Sequence, residues 1–228
     1  MADGVSRGSK TGNAPVDARG RTGLIFLQAL GRESGREDPK GNLCFISGGA
    51  RSGKSGFAET RALTLADDQH QSHVAYLATG VAMDPEFAAR IAHHREQRSP
   101  RFVTVEESLD LSNGLQRALE QSPIVLLECI STWLGNVFHQ KDEAEREPFA
   151  LAQVDAILDN LQTRPRATLY VVTNEIGLGI VPADAYTRQY RDVHGRVNHR
   201  LAAASDEAVR RLCGLPLRMR RGRSESRP

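Results

Sequence analysis

Eight consecutive residues, Gly48-Gly49-Ala50-Arg51-Ser52-Gly53-Lys54-Ser55, form a complete G-x-x-x-x-G-K-S pattern directly after the run Leu43–Ser47. These residue types at this spacing hold polyphosphates. The glycines let backbone N–H groups turn inward onto phosphate oxygens, and the helix opening after the loop adds the partial positive charge of its N-terminus. Lys54 is placed to reach the β- and γ-phosphates, and the Ser55 hydroxyl to ligate Mg²⁺. An apolar run before the motif and a helical pattern after it supply the context that a chance glycine-rich turn lacks. All eight residues, Gly48 to Ser55, are candidate nucleotide contacts, and Lys54 is a candidate catalytic group.

A Mg²⁺ on Ser55 calls for a carboxylate at the end of a neighbouring strand. Glu128, which follows Ile124–Leu127, fits that place, with Glu175 after Val171–Thr173 as its competitor. The expected metal ligands are Ser55 and Glu128. A second chemical feature is the run Arg90-Ile91-Ala92-His93-His94-Arg95, followed by Arg98, in the helix that begins at Pro85. Arg90 and His94 are four apart and share a helix face, whereas His93 is displaced by one position around the helix. A neutral imidazole beside cations can attack a phosphate and form a phosphoramidate, although a His pair on a surface helix is more often only solvated. Adjacent histidines point apart and have no i+4 partner, which argues against a two-His zinc site.

The elements that must position these groups follow from hydrophobic periodicity. Strands are expected at Leu43–Ser47, Val74–Ala78, Phe102–Glu106, Ile124–Cys129 and Thr168–Thr173, and helices at Ser55–Asp67, Pro85–Arg98, Leu109–Gln121, Ser131–His139 and Phe149–Thr163. Strands that are continuously apolar and separated by helices indicate an α/β fold, a mainly parallel sheet covered by helices on both faces. Ala183–Ala204 reads as a further helical region broken near Gly195. A weak last strand at Ala208–Leu212 carries Arg210 and Arg211, which suggests an edge position or a frayed end.

Residues 1–41 show no sustained period and read as a mobile extension. Residues 42–217 form the domain, and residues 218–228, with Arg218, Arg220, Arg221, Arg223 and Arg227, read as a basic tail. Thirty Lys and Arg against 28 Asp and Glu give +2 over 228 residues, too little for a dedicated polyanion binder, and no aromatics are interleaved with the tail arginines. Nucleic acid is therefore not an expected partner. Cys44, Cys129 and Cys213 are odd in number and far apart, so no disulfide framework is implied. No apolar run approaches the roughly 20 residues of a spanning helix. The N-terminal basic residues before Leu24–Leu30 imitate a signal peptide but lack its small-residue cleavage site. A cytoplasmic address is expected.

The ordered blocks Ser47–Ser55, Tyr76–Thr79, Glu86–Arg98 with its R-I-x-x-H-R core, Val103–Glu106, Leu126–Ser131, Val172–Pro182 and Gly195–Glu207 resemble the bifunctional adenosylcobinamide kinase / adenosylcobinamide-phosphate guanylyltransferase family over nearly all of Leu43–Pro216. The resemblance implies a P-loop fold and two reactions. A nucleoside triphosphate, ATP or GTP, phosphorylates the aminopropanol hydroxyl of adenosylcobinamide, and GTP then donates GMP to that phosphate through a guanylyl-histidine. By the same resemblance His94 is the acceptor, while Ala78, Thr79, Gly80, Arg95, Glu96, Gln97, Arg98, Glu106 and Glu128 line the nucleotide site. Mg²⁺, a corrinoid substrate and a homotrimer are implied as well. Two departures stand out: the extension 1–41, and Arg210 and Arg211 where the family is apolar. Without the resemblance, a different small-molecule P-loop kinase or a nucleotide-switched interaction protein also fits the loop.

Overall fold

The computed structural model describes residues 40–219 apart from Met83. In chain order the elements are β1 (Asn42–Gly48), α1 (Lys54–Asp68), β2 (Val74–Ala78), α2 (Pro85–Glu96), β3 (Phe102–Glu106), α3 (Leu111–Gln121), β4 (Ile124–Glu128), α4 (Ile130–Gln140), α5 (Glu143–Gln162), β5 (Thr168–Asn174), α6 (Ala185–Ala204), β6 (Glu207–Leu212) and β7 (Leu215–Met219). The strands form one sheet in the order β3-β2-β4-β5-β1-β6-β7. Every pairing is parallel except β6 with β7.

Both faces are covered, which is why the central strands are apolar at every position rather than at alternate ones. On one face Ala58, Ala62 and Ala66, four residues apart along α1, pack on Cys44, Ile46, Tyr76, Leu126 and Val172. Small side chains at that spacing let the helix lie close to the strands and bring the loop before it near the strand ends. The other face is larger: α3, α4, α5 and α6 bury Leu111, Leu115, Trp133, Leu134, Val154, Ile157, Val197 and Leu201 against Leu43, Phe45, Leu77, Leu127 and Val171. Trp133 is fully buried, and its indole N–H donates to the Leu109 carbonyl at 2.9 Å. Asp110 and Asp184 cap α3 and α6 by accepting from Asn113 N (3.0 Å) and Thr187 N (2.7 Å).

Four expectations need correction. The helix expected from Phe149 starts at Glu143, because Asp142 precedes it and Glu143 and Glu145 favour its positively polarised first turn; Pro148 is accommodated inside it. Helix α6 runs unbroken through Gly195, held by the buried Val193, His194, Val197 and Leu201. Neither an edge nor a frayed end describes β6: it lies between β1 and β7, and Arg210 and Arg211 pair with Leu217 and Pro216. The chain beyond 217 is also not all tail. Arg218 and Met219 belong to β7, and Arg218 is paired with Glu207 at 2.8 Å. Pro216 sits in the outer strand, where a missing N–H costs least. The extension expected at 1–41 lies outside the described residues except for Lys40 and Gly41. Those two are tied in, Lys40 to Asp206 (3.2 Å) and Gly41 N to the Leu161 carbonyl (2.8 Å). Residues 220–228 also lie outside.

Candidate active site

The phosphate loop leaves β1 at Gly48 and enters α1 at Lys54. A Cβ on Gly48 would stand 2.5 Å from Ser52 Oγ and 2.8 Å from the Arg211 carbonyl of β6, so only glycine fits. Gly53 adopts φ +77°, the left-handed conformation that turns the loop into the helix. Lys54 is buried, and its ammonium crosses the loop to the Gly49 carbonyl at 3.2 Å. Ser52 is buried, while Gly49, Ala50 and Arg51 are exposed on the rim.

Opposite the loop, parallel register aligns three strand ends: Ala78 of β2 pairs with Glu106 of β3 on one side and Glu128 of β4 on the other. Strand β4 is not the neighbour of β1, since β5 lies between them. The Ser55 hydroxyl nevertheless reaches Glu128 Oε1 at 2.5 Å. Thr79, fully buried, fixes the backbone behind Glu128: its hydroxyl donates to the carbonyls of Glu128 (3.2 Å) and Cys129 (2.9 Å) and accepts from Cys129 N (2.9 Å). Asn136 in turn donates to the Thr79 carbonyl at 2.8 Å.

Burial pushes the Glu128 carboxyl up to about 7; the Ser55 hydroxyl, Lys54 and Arg98 oppose this rise, and Glu59 reinforces it. Its second oxygen, Oε2, is buried and has no hydrogen-bond partner among the described residues. A hydroxyl and a carboxylate converging with one oxygen unsatisfied make a hard-oxygen donor set that suits Mg²⁺, an ion that takes its remaining ligands from water and phosphate. Ser55 and Glu128 thus fit the metal expected on them. Glu175, the competitor, follows β5, where its N–H donates to the Gly48 carbonyl at 3.0 Å, but its side chain has no recorded bond to Ser55.

The end of α2 is tied to the same strand ends. Arg95 pairs with Glu106. Arg98 stands 3.3 Å over the Tyr76 ring and donates to Thr104 at 2.9 Å. Both Arg95 and Glu106 are more than half exposed, so their pair contributes little stability and acts mainly to orient. His93 and His94 before Arg95 and Glu96 and Gln97 after it are exposed, and Gly80 is exposed after β2. The structure brings together Ser55 with Glu128, Lys54 with Gly49, Arg95 with Glu106, and Ala78 and Thr79 with the end of β4. Among the described residues, Glu96, Gln97 and Gly80 make no hydrogen bond or ion pair with the loop.

Three residues near the site were missed. Glu59 is four residues after Ser55 on α1, a spacing visible in the sequence, and burial raises its carboxyl. Tyr76, under Arg98, and Asn136, behind Thr79, carry no local signal, since their partners are remote in sequence.

The family model described as CobU, cobinamide kinase / cobinamide phosphate guanyltransferase, matches residues 44–219. The chain is 36% identical over 187 residues to the bifunctional adenosylcobalamin biosynthesis protein CobU of Escherichia coli, covering 78% of this chain and 99% of that protein. It is 38% identical over 186 residues to CobU of Salmonella typhimurium, with the same coverage. It is 35% identical over 176 residues to CobP of Pseudomonas aeruginosa, covering 75% and 94%. Among solved structures, a KaiC-like protein from Pyrococcus horikoshii gives a TM-score of 0.42 at 12% identity, and the flagellar accessory protein FlaH from Methanocaldococcus jannaschii gives 0.41 at 15%; each match covers 75% of this chain and 71% of the other.

Proposed function

The chain belongs to the cobinamide kinase / cobinamide phosphate guanyltransferase family, and we propose that it carries out both of those reactions of adenosylcobalamin biosynthesis at one phosphate loop, with GMP held in transit on His94. The kinase step moves the γ-phosphoryl group of ATP or GTP to the aminopropanol hydroxyl of adenosylcobinamide. In the transfer step an imidazole nitrogen of His94 attacks the α-phosphorus of GTP. An N–P bond forms, the bond to the β-phosphate oxygen breaks, pyrophosphate leaves and the imidazole loses its proton. A phosphate oxygen of adenosylcobinamide phosphate then attacks the same phosphorus and releases His94.

The observation that carries this reading is the 2.5 Å approach of Ser55 to Glu128 beside Lys54, which completes a phosphate cradle with a carboxylate facing it. Lys54 supplies positive charge where the transferred or leaving phosphates gain negative charge. Ser55 and Glu128 would hold Mg²⁺, which when bound neutralises phosphate charge. Gly48, Gly49, Ala50, Arg51, Ser52 and Gly53 wrap the phosphates. Arg95 and Arg98, anchored on Glu106, Tyr76 and Thr104, hold the His94 turn near the strand ends, with Ala78, Thr79, Gly80, Glu96 and Gln97 around the nucleotide. A cytoplasmic homotrimer is the assembly that accompanies this reading, and no helix among the described residues is long and apolar enough to cross a membrane.

Incubation with α-labelled GTP and Mg²⁺ tests the reading. One GMP per chain should become covalently bound, labile to acid and stable to alkali as a phosphoramidate is. Nucleotide turnover with no covalent label would overturn the transfer mechanism.

A further inference from the structure

Two buried polar groups flank the phosphate loop without a hydrogen-bond partner among the described residues, the Ser52 hydroxyl and Nε of Arg211. Such groups are few in folded proteins, and each calls for an explanation, an absent ion or ligand being one. Arg211 reaches the loop because β6 lies directly beside β1 and pairs Arg211 with Gly48. Side chains alternate along a strand, so Arg211 shares the α1 face with Val209 and with Glu207, which grips Arg61 of α1 at 2.7 and 3.0 Å. Arg210 faces the other way.

From that position the guanidinium crosses to the end of the loop. Its Cζ lies 4.8 Å from the centre of the Phe57 ring in the first turn of α1, and Nη2 is 3.4 Å from the Cβ position of Gly53. The same Nη2 donates to the Gly214 carbonyl in the β6–β7 turn. The cation is therefore supported from below by an aromatic ring and from the side by a carbonyl, beside the backbone amides that lead from the loop into the helix. Those amides hold the α- and β-phosphates in a loop of this type, while the lysine reaches the β- and γ-phosphates. A guanidinium offers five donors in a planar fork that matches phosphate oxygens.

We propose that Arg211 is a second phosphate-binding cation of this site, one that contacts the α-phosphate of the bound nucleotide from the β6 side. The proposal rests on the loop being the GTP site. It adds a group beside the phosphorus that His94 attacks, where the oxygens gain negative charge as the N–P bond forms.

Binding of GTP and of GMP, with Mg²⁺ present, should be measured by calorimetry for the wild-type chain, Arg211→Met, Arg211→Lys, Arg210→Met and Lys54→Ala. Arg211→Met, which keeps an apolar stem over Phe57, should weaken GTP and GMP alike by about tenfold or more. Arg211→Lys, with charge but no fork, should recover part of that loss, and Arg210→Met should bind as the wild type does. The salt dependence of GMP binding should flatten in Arg211→Met, which a purely structural role would not produce. If Arg211→Met lowers the thermal midpoint of the free chain, the comparison passes to Arg211→Lys, whose GMP affinity should still fall severalfold. Wild-type affinity for GMP in whichever of the two variants folds normally, while Lys54→Ala loses GTP, overturns the proposal and leaves the loop assignment standing. A loss confined to GTP overturns the α-phosphate contact. A wild-type chain that binds neither nucleotide overturns the loop assignment and this proposal together.

Discussion

The Ser55 hydroxyl donates to Glu128 Oε1 at 2.5 Å although 73 positions separate the two in sequence and a whole strand, β5, separates β1 from β4. Helix α1 achieves this by lying across the sheet on its alanine face, so that its first turn overhangs the end of β4. Two consequences of the arrangement are directly measurable. Ser55→Ala and Glu128→Gln should each slow both reactions by about 10²-fold, and the double variant should be little worse than either, because the two act as one unit. Glu128→Gln should also raise the Mg²⁺ concentration needed for half-maximal rate. Independent, multiplying losses would show that the pair does not share a ligand.

Lys54→Ala should lower the rate of kinase and transfer steps by on the order of 10²-fold or more, since its charge matters most as the phosphates rearrange. Turnover of both steps near the wild-type rate would remove Lys54 from the mechanism.

His94→Asn should abolish covalent GMP while His93→Asn leaves it, because successive helix positions diverge by about 100° and only one imidazole can face the α-phosphate. The kinase step, which needs no enzyme adduct, should persist in His94→Asn at least in part. Peptide mass spectrometry that finds GMP on His93 or Lys54 contradicts the assignment.

His194 is 1% exposed, touches Ser131 and Thr173 hydroxyls at 3.2 Å, and lies beside Asn198 and the ring of Tyr190. Burial pulls its pKa from 6.5 down to about 4. Between those values the unfolded chain binds a proton that the folded chain refuses, so stability is fully present above pH 6.5 and is lost as the pH falls towards 4, by on the order of 3 kcal/mol in all. Urea midpoints for wild type and His194→Gln across this range should converge as the pH drops. Parallel curves would show that the histidine is protonated in the folded state.

A chain beginning at Pro39 should keep both activities and its thermal midpoint, since Lys40 and Gly41 retain their contacts with Asp206 and Leu161. A chain ending at Gly214 should melt several degrees lower, because it loses the β7 ladder and the Arg218–Glu207 pair and exposes β6 as an edge. Equal midpoints for the two truncations would contradict this account of the sheet edge.

Much of this molecule is written locally. The phosphate loop is a contiguous motif whose glycines, lysine and serine have roles set by backbone geometry, and the inner strands β1, β2, β4 and β5 announce themselves as apolar runs because both faces of a parallel sheet are covered. Family membership, too, was legible from ordered motif blocks spread over the whole domain. Glu128 and Glu175 both follow apolar strand runs, so position along the chain left them in competition, and the contact with Ser55 separates them.

Tertiary structure decided what depends on partners remote in sequence. Pro216 and the arginines around it disguise β7, which exists because β6 offers it a ladder and Glu207 receives Arg218. Gly195 weakens α6 locally, yet burial of its neighbours on one face outweighs that cost. Thr79 becomes the fully buried brace behind Glu128 only when β2 and β4 align, and Arg211 reaches the phosphate loop only because β6 pairs beside β1. Spacing along a chain encodes the period of an element and the face a side chain takes; which elements meet at that face is set by packing free energy summed over the whole core, and no single segment carries it.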